Sequence, residues 1–176
     1  RVSSPGGAAT AASNLAAVMY MMPLSIAIAT SARVSFWLGA GDPKTARAAI
    51  RTGFRMGLSM ALLLGCTVLL ARHGIASLYS ADREVAAVAT GLLALVALYH
   101  FGDAMQALCV FVLRSYRVAV APLVAYCVLL WGVGVVGGYH LAYRGVGPWP
   151  AWQSPSAFWT ASSFALALLA LILPLI

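Results

Sequence analysis

Asp103 is the residue of this sequence whose chemistry fits least with its surroundings. It lies inside a long apolar stretch, 11 residues before Arg114. On a helix that rises ~1.5 Å per residue, this separation is about 16 Å, roughly half the ~30 Å hydrocarbon thickness of a bilayer. An ionised carboxylate at that depth costs about 2.5 to 3.5 kcal/mol. We therefore expect Asp103 to face a cavity, bind a cation or carry a proton; a hydrogen bond that fixes helix packing is the alternative.

Three further side chains are candidates for the same site. Gln106 follows Asp103 by three residues and either extends a polar site or forms an interhelix hydrogen bond. His100 precedes it by three residues and either shares a proton or caps a neighbouring helix. Tyr20 lies 13 residues before Arg33, about 20 Å along a helix, so it reaches a similar depth. Its ring either holds a cation through its face or fills the core of a helix bundle.

Asp82 is a candidate of a different kind, because it shares a polar loop with Glu84. We expect either acid to cap the helix that follows. The alternative for Asp82 is the attraction of a cationic substrate from outside. We interpret the following aromatic residues as interface and packing residues: Tyr79, Trp131, Trp149, Trp152 and Trp159.

The elements that position these residues are predicted to be membrane-spanning helices. Hydrophobic residues make up 62% of the 176 residues and charged residues only 9%, too few polar groups for a surface in water. Long apolar stretches recur without an intervening soluble domain. The sequence therefore predicts an all-α membrane protein with a single transmembrane domain over residues 1–176. The five helices are expected at about 8–32, 48–71, 85–113, 118–143 and 156–176.

The basic residues behind the net charge of +7 cluster at the ends of the apolar stretches, as cytoplasmic loops require. This pattern indicates topology and not nucleic-acid binding. We expect Arg1 to lie outside and Ile176 in the cytoplasm. The face predicted to be cytoplasmic carries Arg33, Lys44, Arg47, Arg51, Arg55, Arg114 and Arg117, and the other face carries Arg1, Arg72, Arg83 and Arg144.

Motifs for metal or covalent chemistry do not stand out. Cys66, Cys109 and Cys127 lie on separate apolar stretches without a CxxC spacing, so neither a disulfide framework nor a metal site is indicated. The predicted spans hold neither paired acids nor a His-rich motif, so we expect no enzyme and no cofactor.

The chain begins at Arg1 without a methionine or a signal peptide. We therefore interpret the chain as a fragment of a longer protein.

Glycine and proline positions predict how the helices pack. GxxxG spacings at Gly53 to Gly57 and at Gly134 to Gly138 allow helix backbones to approach closely. Pro23 and Pro122 lie inside apolar stretches, where each predicts a kink.

Several short motifs follow one another in an order that resembles a known family. In chain order they are Tyr20-Met21-Met22-Pro23-Leu24-Ser25-Ile26, Arg33-Val34-Ser35 with Leu38-Gly39-Ala40-Gly41, Ile75-Ala76-Ser77-Leu78-Tyr79 with Asp82, Gly102-Asp103-Ala104-Met105-Gln106, and Leu113-Arg114-Ser115-Tyr116. Together they resemble the C-terminal lobe of the multidrug and toxin extrusion (MATE) antiporters, in the NorM-like branch. The resemblance covers nearly the whole chain.

The resemblance implies a bacterial inner-membrane transporter with twelve helices in two pseudo-symmetric lobes, to which this chain contributes helices eight to twelve. Such a protein exports cationic drugs or organic cations in exchange for sodium ions or protons. Position by position, Asp103 matches the acid of the family's cation site, where a sodium ion is implied, and Tyr20 matches an aromatic residue beside it. Asp82 matches an acid near the extracellular mouth, and Gln106 is a further substrate candidate. The implied partners are the N-terminal lobe and a seventh helix that brings another carboxylate.

This sequence departs from the family pattern in places. The family usually has Gly where Ser35 and Ser115 stand, and Ala81 stands where some relatives have a second acid beside Asp82. Two alternatives to multidrug efflux follow. One is a lipid-linked oligosaccharide flippase of the same superfamily, which favours an Arg-rich cavity, whereas the midplane charge expected here is negative. The other is an inactive truncated membrane protein.

Overall fold

The computed structural model describes residues 5–79, 83–148 and 150–175, which form five long helices. The first three helices are α1 (Pro5–Gly39), α2 (Pro43–Tyr79) and α3 (Arg83–Ser115). The fourth, α4, spans Val120–Arg144, and the fifth, α5, spans Ser156–Ile172 and ends in a 3-10 turn at Leu173–Leu175. All five are long and apolar enough to cross a membrane. The predicted all-α membrane fold is confirmed.

The helices differ from the expected spans mainly at their ends. α1 continues to Gly39 instead of ending near residue 32, and α2 runs from Pro43 to Tyr79 where about 48–71 was expected. Hydropathy marks the stretch that lies in hydrocarbon, whereas a helix continues into the headgroup region until a capping residue ends it.

Pro122 is the third residue of α4, in the first turn, where its missing N–H costs no helical hydrogen bond. The kink predicted at Pro122 is therefore wrong.

Gly41 and Asp42 determine the turn between α1 and α2. Gly41 has a φ of +73°, which suits glycine because it has no Cβ. The N–H of Asp42 donates to the carbonyl of Trp37 at 2.9 Å, and that of Gly41 donates to Leu38 at 3.1 Å, so α1 ends in a Schellman motif. Asp42 then caps α2 by accepting the Thr45 N–H at 2.9 Å. The basic start of α2 is thereby fixed at one end of the bundle.

α3 is the central helix, since it contacts α1, α2 and α5. Four of its buried side chains are at most 2% exposed, namely Leu92, Leu93, Val96 and Leu108. α4 packs on α5 and so joins the bundle through it. Large apolar side chains also point outward, such as Leu70 at 84% exposed, as a lipid-facing surface requires.

Both predicted GxxxG pairs lie at helix crossings. A Cβ on Gly53 would collide with the Thr30 hydroxyl of α1, and a Cβ on Gly57 would lie 2.6 Å from Leu108 of α3. On α4, Gly134 faces Ser162 and a Cβ on Gly138 would lie 2.8 Å from Phe158 of α5. Each of these crossings depends on the absence of a side chain, which is the role that small residues have between helices in lipid.

A serine pair ties α1 to α3 near one end of the bundle. The hydroxyls of Ser31 and Ser115 lie 2.9 Å apart, and the Ser115 hydroxyl also donates to the carbonyl of Ser31 at 3.1 Å. The resemblance implied a glycine in place of Ser115. A glycine has no side chain to form this interhelix hydrogen bond.

We expect Gly53→Ala to destabilise the bundle by about 1 to 3 kcal/mol, because the added methyl group must displace Thr30. Gly74→Ala is the matched control on the same helix, since no atom lies within 4 Å of a Cβ there; it should leave stability unchanged or raise it. The midpoint of SDS-induced unfolding of the purified chain measures both. Equal midpoints for the two variants would contradict the assignment of Gly53 to a tight crossing.

The Asp42 cap has a measurable pH signature. Hydrogen bonds from the Thr45 hydroxyl and the Thr45 N–H lower the pKa of the Asp42 carboxyl below its ordinary value. A lowered folded-state pKa means that the cap stabilises α2 above the unfolded pKa and that this contribution is lost as pH falls through the folded one. Thr45→Val should raise the Asp42 pKa part of the way back, as measured by carbon-13 NMR of the carboxyl group. Thr52→Val, which removes a hydroxyl bonded to Ala48, should not move it.

Candidate functional site

A cavity of about 750 Å³ opens between α1, α3, α4 and α5. Aromatic and polar side chains from these helices meet in it. Its lining consists of Ser13, Ala16, Ala17, Tyr20, Tyr99, Asp103, Gln106, Val110, Arg114, Ala119, Pro122, Leu123, Tyr126 and Trp159.

Asp103 lies on the wall that α3 contributes. Tyr99, Asp103, Gln106 and Val110 follow at steps of four, three and four residues and line the cavity together, since such steps keep residues on one face of a helix. Ala104, one residue on, is fully buried on a different face. The helical period thus directs the acid into the cavity while the neighbouring positions hold α3 in the bundle.

The carboxylate of Asp103 is partly buried. Within the ranges that the structure describes, it has no hydrogen-bond or ion-pair partner. It shares the cavity with the phenols of Tyr20, Tyr99 and Tyr126, which come from three different helices. A negative group in a partly desolvated cavity without a counter-ion favours the binding of a cation or a proton.

The other candidates from the sequence have different positions. Tyr20 and Gln106 line the same cavity as Asp103, so the structure brings these three residues together. His100 does not line it: its imidazole is 1% exposed, and its Nε2 atom is buried without a hydrogen-bond partner among the described residues. Asp82 lies outside the described residues, and Glu84 is in the first turn of α3.

Several lining residues were not singled out from the sequence. Tyr99 lies four residues before Asp103, a spacing that places both side chains on one face of the helix and could have identified Tyr99 from the sequence. Trp159 was interpreted as a packing aromatic; it packs edge to face on Tyr99, with ring centroids 5.4 Å apart, and it also lines the cavity. Tyr126 belongs to α4, and no sequence spacing relates it to Asp103.

Arg114 lies at one end of the cavity, too far from Asp103 to neutralise the charge of its carboxylate. Its guanidinium carbon lies 5.4 Å from the ring centroid of Phe111 on its own helix. Three helical turns separate it from Asp103, about 16 Å. The cavity is therefore negative in the middle and positive at one end, with aromatic walls between.

This arrangement is suited to holding an organic cation or a small metal cation. A carboxylate supplies charge, and the faces of tyrosine and tryptophan rings attract cations by about 0.5 to 2 kcal/mol each. Over the described ranges, no group of three or more His, Cys, Asp or Glu side chains is placed to hold a metal ion. Any ion at Asp103 would therefore depend on Asp103, the tyrosines, the Gln106 amide and water.

Comparisons with known proteins agree with this architecture. The MatE family model matches residues 5–140. The probable multidrug resistance protein NorM of Aromatoleum aromaticum is 36% identical over 157 residues, 88% of this chain and 33% of that protein. The multidrug resistance protein NorM of Burkholderia vietnamiensis is 35% identical over 82% of this chain and 32% of its own length. The multidrug resistance protein PmpM of Pseudomonas aeruginosa is 34% identical over 80% and 30%, respectively.

Solved structures support the same fold. The crystal structure of the eukaryotic MATE transporter AtDTX14 superposes with a TM-score of 0.81 at 23% identity, over 98% of this chain and 38% of that chain. The chain thus spans about a third of the length of the curated relatives that it matches. Its five helices correspond to part of one lobe of such a transporter. By its motifs, its fold and its relatives, the chain belongs to the MATE family of membrane transporters.

Proposed function

We propose that this chain forms part of a secondary active transporter that exports cationic drugs or organic cations in exchange for sodium ions or protons. The observation that carries the proposal is the uncompensated carboxylate of Asp103 in a cavity walled by tyrosines and a tryptophan. The names of the relatives, multidrug resistance proteins, support the same activity. Transport is expected of the complete two-lobe protein in the bacterial inner membrane.

Asp103 would couple the two ligands by binding them in turn. A sodium ion or proton on the carboxylate removes the charge that an organic cation needs, so the two ligands compete for one acid. Rocking of the two lobes would expose the occupied cavity to either side of the membrane. A further carboxylate on the seventh helix would complete the site, and Asp82 would attract cations at the outer mouth.

The supporting side chains would set which cations fit. Tyr20 would present its ring to a bound cation, and the Gln106 amide would accept a hydrogen bond from a substrate or hold a hydrated ion. The charge of the cavity argues against a flippase for phosphate-linked sugars. Such a cargo needs several basic groups near the middle of the membrane, whereas the basic residue of this cavity lies at its end.

The decisive experiment replaces the matching third of the Aromatoleum aromaticum NorM relative with this chain and measures ethidium efflux driven by imposed sodium or pH gradients. We expect Asp103→Asn to lower gradient-driven efflux at least about tenfold, because the amide carries no charge to exchange. Asp42→Asn, a change of the same kind at the capped turn, should leave efflux unchanged. Full efflux by the Asp103→Asn chimera would refute the proposed role. If no chimera transports ethidium, the amount of chimera in the membrane is measured. A chimera missing from the membrane has failed to assemble, whereas one that is present there without efflux contradicts the proposed function.

The role of Tyr20 is tested separately by binding. For tetraphenylphosphonium binding to the same chimera in detergent, we expect Tyr20→Leu to weaken affinity by about 2- to 30-fold, the range that a lost cation–π contact gives. Tyr20→Phe keeps the ring and should stay within about twofold of the parent. Similar losses in both variants would instead assign the contribution to the hydroxyl group.

A further inference from the structure

The first four turns of α2 carry a stripe of positive charge that the transport site does not use. Lys44, Arg47, Arg51 and Arg55 are all exposed. They follow one another at steps of three, four and four residues, so they share one face of the helix. The stripe extends over about 16 Å, more than the diameter of one phosphate headgroup.

This face points away from the rest of the bundle. Gly53 and Gly57, which contact α1 and α3, follow Arg51 and Arg55 by two residues. Two residues rotate a helix by about 200°, which places the contacts and the charges on opposite sides. The basic side chains are therefore free to meet a ligand from the surrounding membrane.

The described residues leave this charge unbalanced. The acid next to the stripe, Asp42, is engaged by the hydroxyl and N–H of Thr45. A groove of about 580 Å³ lies along the start of the stripe, between Pro43, Lys44, Arg47, Ile50 and Arg51. It combines guanidinium and ammonium donors with an apolar floor.

The same helix face becomes apolar beyond Arg55. Leu62 and Leu69 are 59% and 43% exposed, and Cys66 between them is also exposed. Their spacing of four and three residues continues the face of Arg51 and Arg55. A charged segment followed by an exposed apolar one, along a single membrane helix, matches an anionic phospholipid with its phosphate at the basic stripe and its acyl chains along the leucines.

We propose that this face of α2 is a binding site for an anionic membrane phospholipid, with a two-phosphate lipid preferred. Guanidinium groups bind phosphate oxygens through paired hydrogen bonds, and juxtamembrane basic residues attract anionic lipids by about 1 kcal/mol each. Four such residues supply enough hydrogen-bond donors for two phosphates. The site is separate from the Asp103 cavity, so it stands whether or not the transport proposal does.

Native mass spectrometry of the purified chain, delipidated in a neutral detergent, tests the proposal with cardiolipin, phosphatidylglycerol and phosphatidylcholine as probes. We expect cardiolipin to bind most tightly and phosphatidylcholine least. The triple change Lys44→Gln, Arg47→Gln and Arg51→Gln should weaken cardiolipin binding on the order of a hundredfold. The control removes the same charge elsewhere, through Arg72→Gln, Arg83→Gln and Arg144→Gln, and should change affinity by less than about twofold.

Three results would overturn the proposal: equal loss of cardiolipin in both triple variants, phosphatidylcholine binding as tight as cardiolipin binding, or displacement of cardiolipin by inorganic phosphate at an ionic strength at which chloride leaves it bound. The last would show that the site recognises free phosphate and not a lipid. If the stripe variant does not elute as a folded chain, the salt dependence of the unmodified chain decides. Cardiolipin affinity that does not fall with increasing ionic strength excludes the basic stripe as the site.

Discussion

The structure depends on how closely its helix backbones approach one another. In lipid, apolar side chains gain nothing by moving from the bilayer into a helix interface, so contact comes from packing and from interhelix hydrogen bonds. Gly53 and Gly57 bring α2 against α1 and α3, and Gly138 brings α4 against Phe158 of α5. The hydroxyls of Ser31 and Ser115 add a hydrogen bond between α1 and α3. These small residues fix the helix positions on which the cavity depends.

The cavity forms where close packing gives way to large side chains. Tyr20, Tyr126 and Trp159 come from three helices and line the cavity together with the α3 face that carries Asp103. A half-open space results, in which the carboxylate remains accessible and unpaired among the described residues. The cost of burying this charge is thus left for a mobile ligand to offset, and the proposed exchange of one cation for another rests on this cost.

The two charged regions of the chain have different proposed partners. Asp103 is a single negative charge surrounded by aromatic faces, whereas the α2 stripe is a row of positive charges on an outward face. Their separation matters because a basic residue beside Asp103 would neutralise it. Arg114, which does line the cavity, is three turns away and lies over the Phe111 ring.

Most of the fold was accessible from the sequence, because lipid leaves the backbone few options. Apolar stretches long enough to span a bilayer must be helices, so hydropathy predicted five of them and the glycine spacings predicted their crossings. The ends of α1 and α2 were less accessible, since they depend on the Schellman turn at Gly41 and the cap at Asp42. A kink was predicted at Pro122 because hydropathy does not show at which residue α4 begins. A proline in the first turn of a helix does not kink it.

The sequence by itself determined that Asp103 is a costly acid at membrane depth and that Gln106 shares its helix face, since both follow from helical period and rise. Only the tertiary structure decided which other helices reach it. Tyr126 and Trp159 were assigned to the cavity, and His100 to a buried position outside it, by how α5 packs on α3 and α4 packs on α5. The physical reason is that local spacing fixes the direction of a side chain on its own helix, whereas what it meets depends on contacts between residues far apart in the chain.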